Sequence, residues 1–148
     1  RKITFCMTDN LERTTMNTVV IGNIELIDLL TKVDGLKLYK LAKEHIDDDF
    51  PQYPVPKDTV INGASVPKFL RDIISPTGEL FRASVPHDYF YTTKVISRRK
   101  ADAIFRKIVL DDTGDYILAY GAWLALRAWG WKAWRNAKQI EHPELLID

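Results

Sequence analysis

The rhythm of apolar and polar positions changes near the middle of the chain. Before residue 58 the apolar spacing is mostly that of strands. Ile3 to Met7 is a short β-type run, and Thr18 to Ile24 is rich in β-branched residues. Ile24, Ile27, Leu29 and Leu30 would line a short helix equally well, so this element is ambiguous between the two periods. Asp34-Gly35 marks a turn. After it, Leu36 to Leu41 alternates strictly, as a half-buried strand does, with strand character extending toward Ile46. Residues 47 to 58 hold consecutive aspartates (Asp47, Asp48, Asp49) together with Pro51, Pro54 and Pro56, a composition for a loop or an edge strand and not for a helix. The aspartates lack the alternating spacing of a calcium-binding loop.

From residue 59 the spacing becomes helical. Ser65, as N-cap, and Pro67, early in the first turn, predict a short helix through Ile74, ended by Ser75-Pro76-Thr77-Gly78. Pro86 is expected to open a second helix containing His87 to Lys94. Ser97 caps a third, in which Ala101, Ile104, Phe105 and Ile108 share one face. Asp111 to Gly114 interrupts it. A fourth helix is expected from about Asp115 toward Gln139, with a kink at Gly130 and Pro143 beyond its end. The expectation is an α+β fold: a small N-terminal antiparallel β-sheet followed by a bundle of about four helices. It forms a single domain, with residues 1–58 strand-rich and residues 59–148 helical.

Composition narrows the function classes. The 148 residues suffice for one core, and 46% hydrophobic with 28% charged residues excludes a disordered chain. A net charge of +1 gives no global attraction to nucleic acid or membrane, so such contacts must come from local patches. The single cysteine, Cys6, excludes an internal disulfide and fits a buried position in a first strand, in a protein made in a reducing compartment. The longest uncharged stretch, Tyr116 to Leu126, falls well short of the roughly 20 apolar residues that span a bilayer. No Lys/Arg-led apolar signal opens the given sequence, and its first residue is Arg1 and not Met, which weakens any argument about targeting.

The candidate chemistry sits in three consecutive pieces: Asn62-Gly63-Ala64-Ser65-Val66-Pro67, His87-Asp88-Tyr89-Phe90-Tyr91, and Arg98 to Phe105. His87 and Tyr91 are one turn apart on a helix, and Asp88 points about 100° away. Asp102 lies at the edge of the next helix's apolar face, where packing of the two helices can bring it to His87. A neutral imidazole held by a carboxylate through one nitrogen is a general base at the other. With Pro86 in the first turn, the helix dipole would help keep His87 neutral. Asp88, turned elsewhere, would be free to ligate calcium with loop carbonyls near Gly63 and Gly78. Arg98, Arg99 and Lys100 stand in a first helical turn, against the dipole's preference, and so suggest an anionic partner. In the last helix Trp129, Trp131 and Trp134 interleave with Arg127, Lys132, Arg135 and Lys138; Trp131, Trp134 and Lys138 mark a contact face suited to membrane or protein. Leu145, Leu146 and Ile147 form an apolar tail suited to docking.

Taken together, G-A-S-V-P (Gly63, Ala64, Ser65, Val66, Pro67), P-T-G, H-D-x-x-Y, R-x-x-A-D-x-x-F and Arg127 with Trp129-Gly130 resemble a family of small phage-encoded proteins, domain of unknown function 1353. The likeness runs over roughly residues 53 to 134. It implies a bacteriophage or prophage origin and residence in the phage particle or host cytoplasm, with other particle proteins as partners. Asn62 stands where that family usually has aspartate, and Pro86 where it usually has an aliphatic residue. Over a shorter span, H-D-x-x-Y followed by A-D-x-x-F is similar to the paired-helix site of phospholipases A2. That likeness implies that His87 activates water, Asp88 binds calcium, Asp102 holds the histidine and Tyr91 supports it. The glycine-rich calcium loop and the disulfides of the secreted enzymes have no counterpart here.

Two functional classes follow. One is a hydrolase in which a His87–Asp102 dyad activates water against an ester or amide of the host envelope, with calcium assisting. No G-x-S-x-G elbow is present to make Ser65 a nucleophile. The other is a non-catalytic neck, tail or head component of a phage particle, in which the G-A-S-V-P turn and the His-Asp pair stabilise the fold, and the Trp/Lys helix and the apolar tail are contact surfaces; an oligomer is compatible with this reading. Nucleic-acid binding is disfavoured by the balanced charge and the lack of a recognised motif.

Overall fold

The computed structural model describes residues 17–33, 35–62, 65, 67–71 and 78–138. Expectations for Ile3–Met7, Cys6, Gly63, Ala64, Pro143 and the tail at residues 145–147 fall outside these. The chain divides into two compact units, Arg1–Val60 with His142–Asp148, and Ile61–Glu141. Strands come first and helices after, an α+β arrangement as expected.

In the first unit, β1 (Asn17–Ile21) and β2 (Ile24–Val33) form an antiparallel hairpin. The segment that was open between helix and strand is therefore strand. Gly22, at φ 59°, supplies the left-handed residue that this tight turn requires. Ile24 and Leu26, two residues apart, are buried, which is the period of a strand. β2 also pairs antiparallel with β3 (Leu36–Leu41), but the register breaks between Asp28 and Lys32. Leu30 there takes a φ of 55°, and the Asp28 carboxylate accepts a 2.8 Å hydrogen bond from its N–H, as in a bulge. Past β3 the strand does not continue. His45 instead exchanges two backbone hydrogen bonds with Val55, at 2.9 and 2.8 Å, across the aspartate- and proline-rich loop. The edge strand β4 (Val60–Ile61) then completes the order β1-β2-β3-β4.

The second unit holds α1 (Lys68–Arg71), α2 (Phe81–Thr93), α3 (Arg98–Thr113) and α4 (Tyr116–Asn136). α3 packs against both α2 and α4. Ala101, Ile104, Phe105 and Ile108 are all buried, as their helical spacing predicts. Burying side chains of this size contributes about 1.5–3 kcal/mol each for the large ones. The face that α4 buries is made of Ala119, Ala122, Ala125, Leu126 and Gly130, mostly small residues that let a neighbouring helix come close.

One boundary differs from the sequence reading. α2 begins at Phe81, so Pro86 lies inside the helix instead of opening it. Its ring fixes φ near the helical value, and its lack of an N–H leaves only one helical hydrogen bond unmade. The buried Leu80, Phe81, Ala83 and Val85 anchor the preceding turn and offset that loss. His87 is consequently mid-helix and not in a first turn.

The α2–α3 turn is made by Lys94, which caps α2 in the left-handed region at φ 57°. Its ammonium donates to the Tyr91 carbonyl at 3.0 Å and sits 4.9 Å over the Trp134 ring. Ser97 caps α3, its hydroxyl accepting from the Lys100 N–H at 3.3 Å. Ser97→Ala is expected to cost about 1 kcal/mol. Urea denaturation should show a lower midpoint at unchanged slope; an unchanged midpoint would mean the cap contributes nothing.

Candidate functional site

α2 carries His87, Asp88 and Tyr91; α3 carries Arg98 and Asp102; α4 carries Arg127; Ser65 comes from the segment before α1. Their side chains form one connected hydrogen-bonded network. His87 Nε2 lies 2.9 Å from Asp102 Oδ1. The Tyr91 hydroxyl donates to the same oxygen at 2.7 Å, and Arg127 donates to Oδ2 at 2.8 Å. Arg98, one turn before Asp102, stands 3.8 Å from Oδ2 and donates to the Leu126 carbonyl at 3.1 Å. On the other side of the imidazole, the Ser65 hydroxyl lies 3.1 Å from Nδ1 and donates closely to Asp88 Oδ1. Asp88 Oδ2 accepts from the Asn62 backbone N–H at 3.2 Å.

The centre of the network is buried, while its two guanidinium groups, on Arg98 and Arg127, stay partly exposed. His87 is 1% exposed and Asp102 0%, and Ser65, Asp88 and Tyr91 are also buried. Burial by itself pushes the Asp102 carboxyl upward. The hydrogen bond and charge of His87, with the hydrogen bonds of Tyr91 and Arg127, outweigh it and hold the carboxyl below its ordinary value. The Tyr91 phenol is pushed well above its usual value, first by burial and then by the charge and hydrogen bond of Asp102, with Arg98 opposing.

Donor counting constrains the protons. Asp102 as a carboxylate requires a proton on His87 Nε2, which leaves Nδ1 to accept from Ser65 if the ring is neutral. The Ser65 hydroxyl has one proton and two claimants, Nδ1 and Asp88. Both contacts are satisfied together only when one further proton sits on Nδ1 or on Asp88. The arrangement can therefore hold or pass a proton along Asp88–Ser65–His87.

The predicted pair His87 and Asp102 does meet, with Tyr91 beside it. Asp88 lies on the far side of Ser65, its two oxygens engaged by Ser65 and Asn62. Among the described residues no group of three or more His, Cys, Asp or Glu side chains is placed to hold a metal ion. Gly63, whose loop was to offer calcium a carbonyl beside Asp88, lies outside the described residues, and no chemical step is assigned to the ion. Of the basic triplet, Arg98 turns inward onto Asp102 and Leu126, whereas Arg99 and Lys100 are exposed. Trp134 packs edge-on against Tyr91 at 5.0 Å, while Trp131 is exposed with the Arg135 guanidinium over it. Pro67 lies at the start of α1, its carbonyl accepting from the Leu70 N–H at 2.9 Å.

Three participants were not assigned these roles from sequence. Ser65 reads as a cap, yet its hydroxyl bridges His87 and Asp88. Arg127 is the first charge in an otherwise uncharged run from Tyr116, which is the signal that it has a buried partner. Gly130 reads as a kink, but a Cβ there would lie 2.8 Å from the Tyr91 hydroxyl. It is the absence of a side chain that lets α4 close over the network.

Residues 40–126 match the family described as "Protein of unknown function (DUF1353)". No curated protein matches the chain. No solved structure matches it either.

Two outcomes follow. A carboxyl held below its ordinary value stabilises the folded state above that value and loses this contribution as pH falls through the folded one. Acid titration of stability should therefore show a loss below about the ordinary 3.8 that Asp102→Asn flattens; parallel acid limbs would contradict it. Gly130→Ala should lower the melting temperature, although alanine in a helix is intrinsically favoured over glycine by about 1 kcal/mol. A stabilised variant would show that Tyr91 has room to yield.

Proposed function

Because the chain belongs to the DUF1353 family, whose description assigns no activity, we propose its function from the site: a hydrolase in which His87, oriented by Asp102, is the general base. The observation that carries this reading is the polarity of the imidazole. Nε2 is fixed on a buried carboxylate, and Nδ1 faces a hydroxyl. A fold needing only stability has little reason to bury two carboxylates and an imidazole, since apolar residues of similar volume often stabilise as well or better.

In this mechanism water takes the position of the Ser65 hydroxyl and gives its proton to Nδ1. The resulting hydroxide attacks a carbonyl carbon, and the imidazolium, stabilised by Asp102, returns the proton to the departing alcohol or amine. Ser65 itself is a poor nucleophile here, because its alkoxide would form against the Asp88 carboxylate. The substrate class is an ester or amide of the host envelope, in keeping with the likeness to phage-encoded proteins and to the paired-helix site of phospholipases A2. Asp88 is the residue assigned to calcium if the ion takes part.

A second reading, a non-catalytic phage-particle component, is favoured by one observation: nothing in the described geometry opens His87 or Asp102 to a substrate. There the network is a polar clamp that holds three helices in one arrangement.

Fatty-acid release from mixed phospholipid vesicles, with and without calcium, separates the readings. The hydrolase predicts that His87→Gln and Asp102→Asn lower turnover by about 10²–10⁴-fold while circular dichroism stays native. An inactive parent protein, with both variants only less stable, would leave the clamp.

A further inference from the structure

We propose that Ser65, Pro67 and α1 form a cover over Nδ1 of His87, latched by the contact of Phe69 with Trp129, and that this cover opens while α2, α3 and α4 stay packed. The inference rests on the hydrolase reading for its role, but its test does not use catalysis. The described neighbours of the imidazole divide into two kinds. Tyr91 on α2, at 4.1 Å between ring centroids, Phe105 on α3, at 5.2 Å, and Asp102 at Nε2 belong to long helices. They are fully buried and bound together through the carboxylate. The other side, at Nδ1, is closed by the Ser65 hydroxyl at 3.1 Å.

The two kinds of wall differ in what holds them. α2, α3 and α4 run 13, 16 and 21 residues and bury apolar faces against one another. α1 has four residues, and the Leu70 N–H donates to the Pro67 carbonyl at 2.9 Å as in a single turn. One turn has no stability of its own, because fixing its dihedrals costs more than its hydrogen bond returns. It stays in place through its side chains: Ser65 on Asp88 and His87, the buried Leu70, and Phe69. A segment with so few anchors belongs to the part of a fold that opens first.

Phe69 supplies the latch. Its ring meets that of Trp129 edge to face, with centroids 5.6 Å apart, and joins α1 to α4 beside Gly130, where α4 closes over Tyr91. Phe69 is 59% and Trp129 62% exposed. Two rings left largely in water separate without opening a cavity in the core, unlike Tyr91 and Phe105. Lifting Ser65 breaks its contacts to Nδ1 and to Asp88. Water admitted by the same movement replaces both hydrogen bonds, so neither group is left buried and unmet. The place at Nδ1 that the hydrolytic step requires is then filled by water.

The test is the rate at which diethyl pyrocarbonate, a reagent for unprotonated imidazole nitrogen, modifies His87 in the full chain, read by peptide mass spectrometry. Below the unfolding transition this rate should be nearly flat in urea, because opening the cover exposes little surface. Phe69→Ala should raise it by about three- to tenfold at the same flat slope. Trp129→Ala should do the same, and the double variant no more than either, since both remove one contact. Ile117→Ala, at an exposed apolar position near the start of α4, should leave the rate unchanged. A rate that climbs with urea as steeply as global unfolding would overturn the proposal. So would a rate indifferent to Phe69→Ala and Trp129→Ala, or effects of the two that simply multiply. Absence of fatty-acid release with these rates as expected would remove the hydrolase and leave the cover.

Discussion

A single carboxylate with no exposed surface, Asp102, constrains the helical unit more than any other group. A charge in that position must be met by donors or it destabilises the fold by several kcal/mol. The donors come from two helices, His87 and Tyr91 on α2 and Arg127 on α4, with the Arg98 charge of α3 itself 3.8 Å away. Apolar packing alone tolerates small rotations and slides of one helix on another. Three directional hydrogen bonds to two oxygens do not, so the carboxylate fixes a packing that the alanine-rich face of α4 leaves loosely specified. Ser65 and Asn62 extend the same logic through Asp88, tying the segment before α1 to the middle of α2.

The same enclosure bears in opposite directions on the two functional readings. Low exposure strengthens every electrostatic contact in the network and keeps the imidazole in one orientation. It also closes off the nitrogen that a general base needs. The Ser65 hydroxyl makes this conflict concrete, because it occupies the one position from which Nδ1 would take a proton. A hydrolase built this way must exchange that hydroxyl for water during its cycle, whereas a clamp would retain it.

Much of this was legible in the sequence where one physical rule acted alone. Alternation in Leu36–Leu41 gave a strand, and Ser97 gave a cap. The spacing of His87 and Tyr91, with Asp102 on the following helix, brought the three together. Legibility failed where rules competed. Proline's preference for a first turn suggested that α2 starts at Pro86, but the apolar residues upstream outweighed one lost hydrogen bond. Ile24 to Leu30 fitted two periods, and pairing with β1 and β3 decided for strand. Gly130 was visible as a glycine, but its reason lies in a tyrosine far away in sequence, which periodicity does not register. Ser65 and Arg98 carried local explanations that hid their long-range partners.

Lys94 shows how such distant partners leave a mark on a family. A lysine in the left-handed region is held there at some cost that glycine or asparagine would not incur. Its ammonium recovers the difference by reaching the end of α2 and the Trp134 ring on α4. The identity of the turn residue is therefore conditional on an aromatic ring forty positions later. Across related chains the two sites should drift as a pair: lineages that lose the ring should replace the lysine with glycine or asparagine, and those that keep it remain free to keep the lysine.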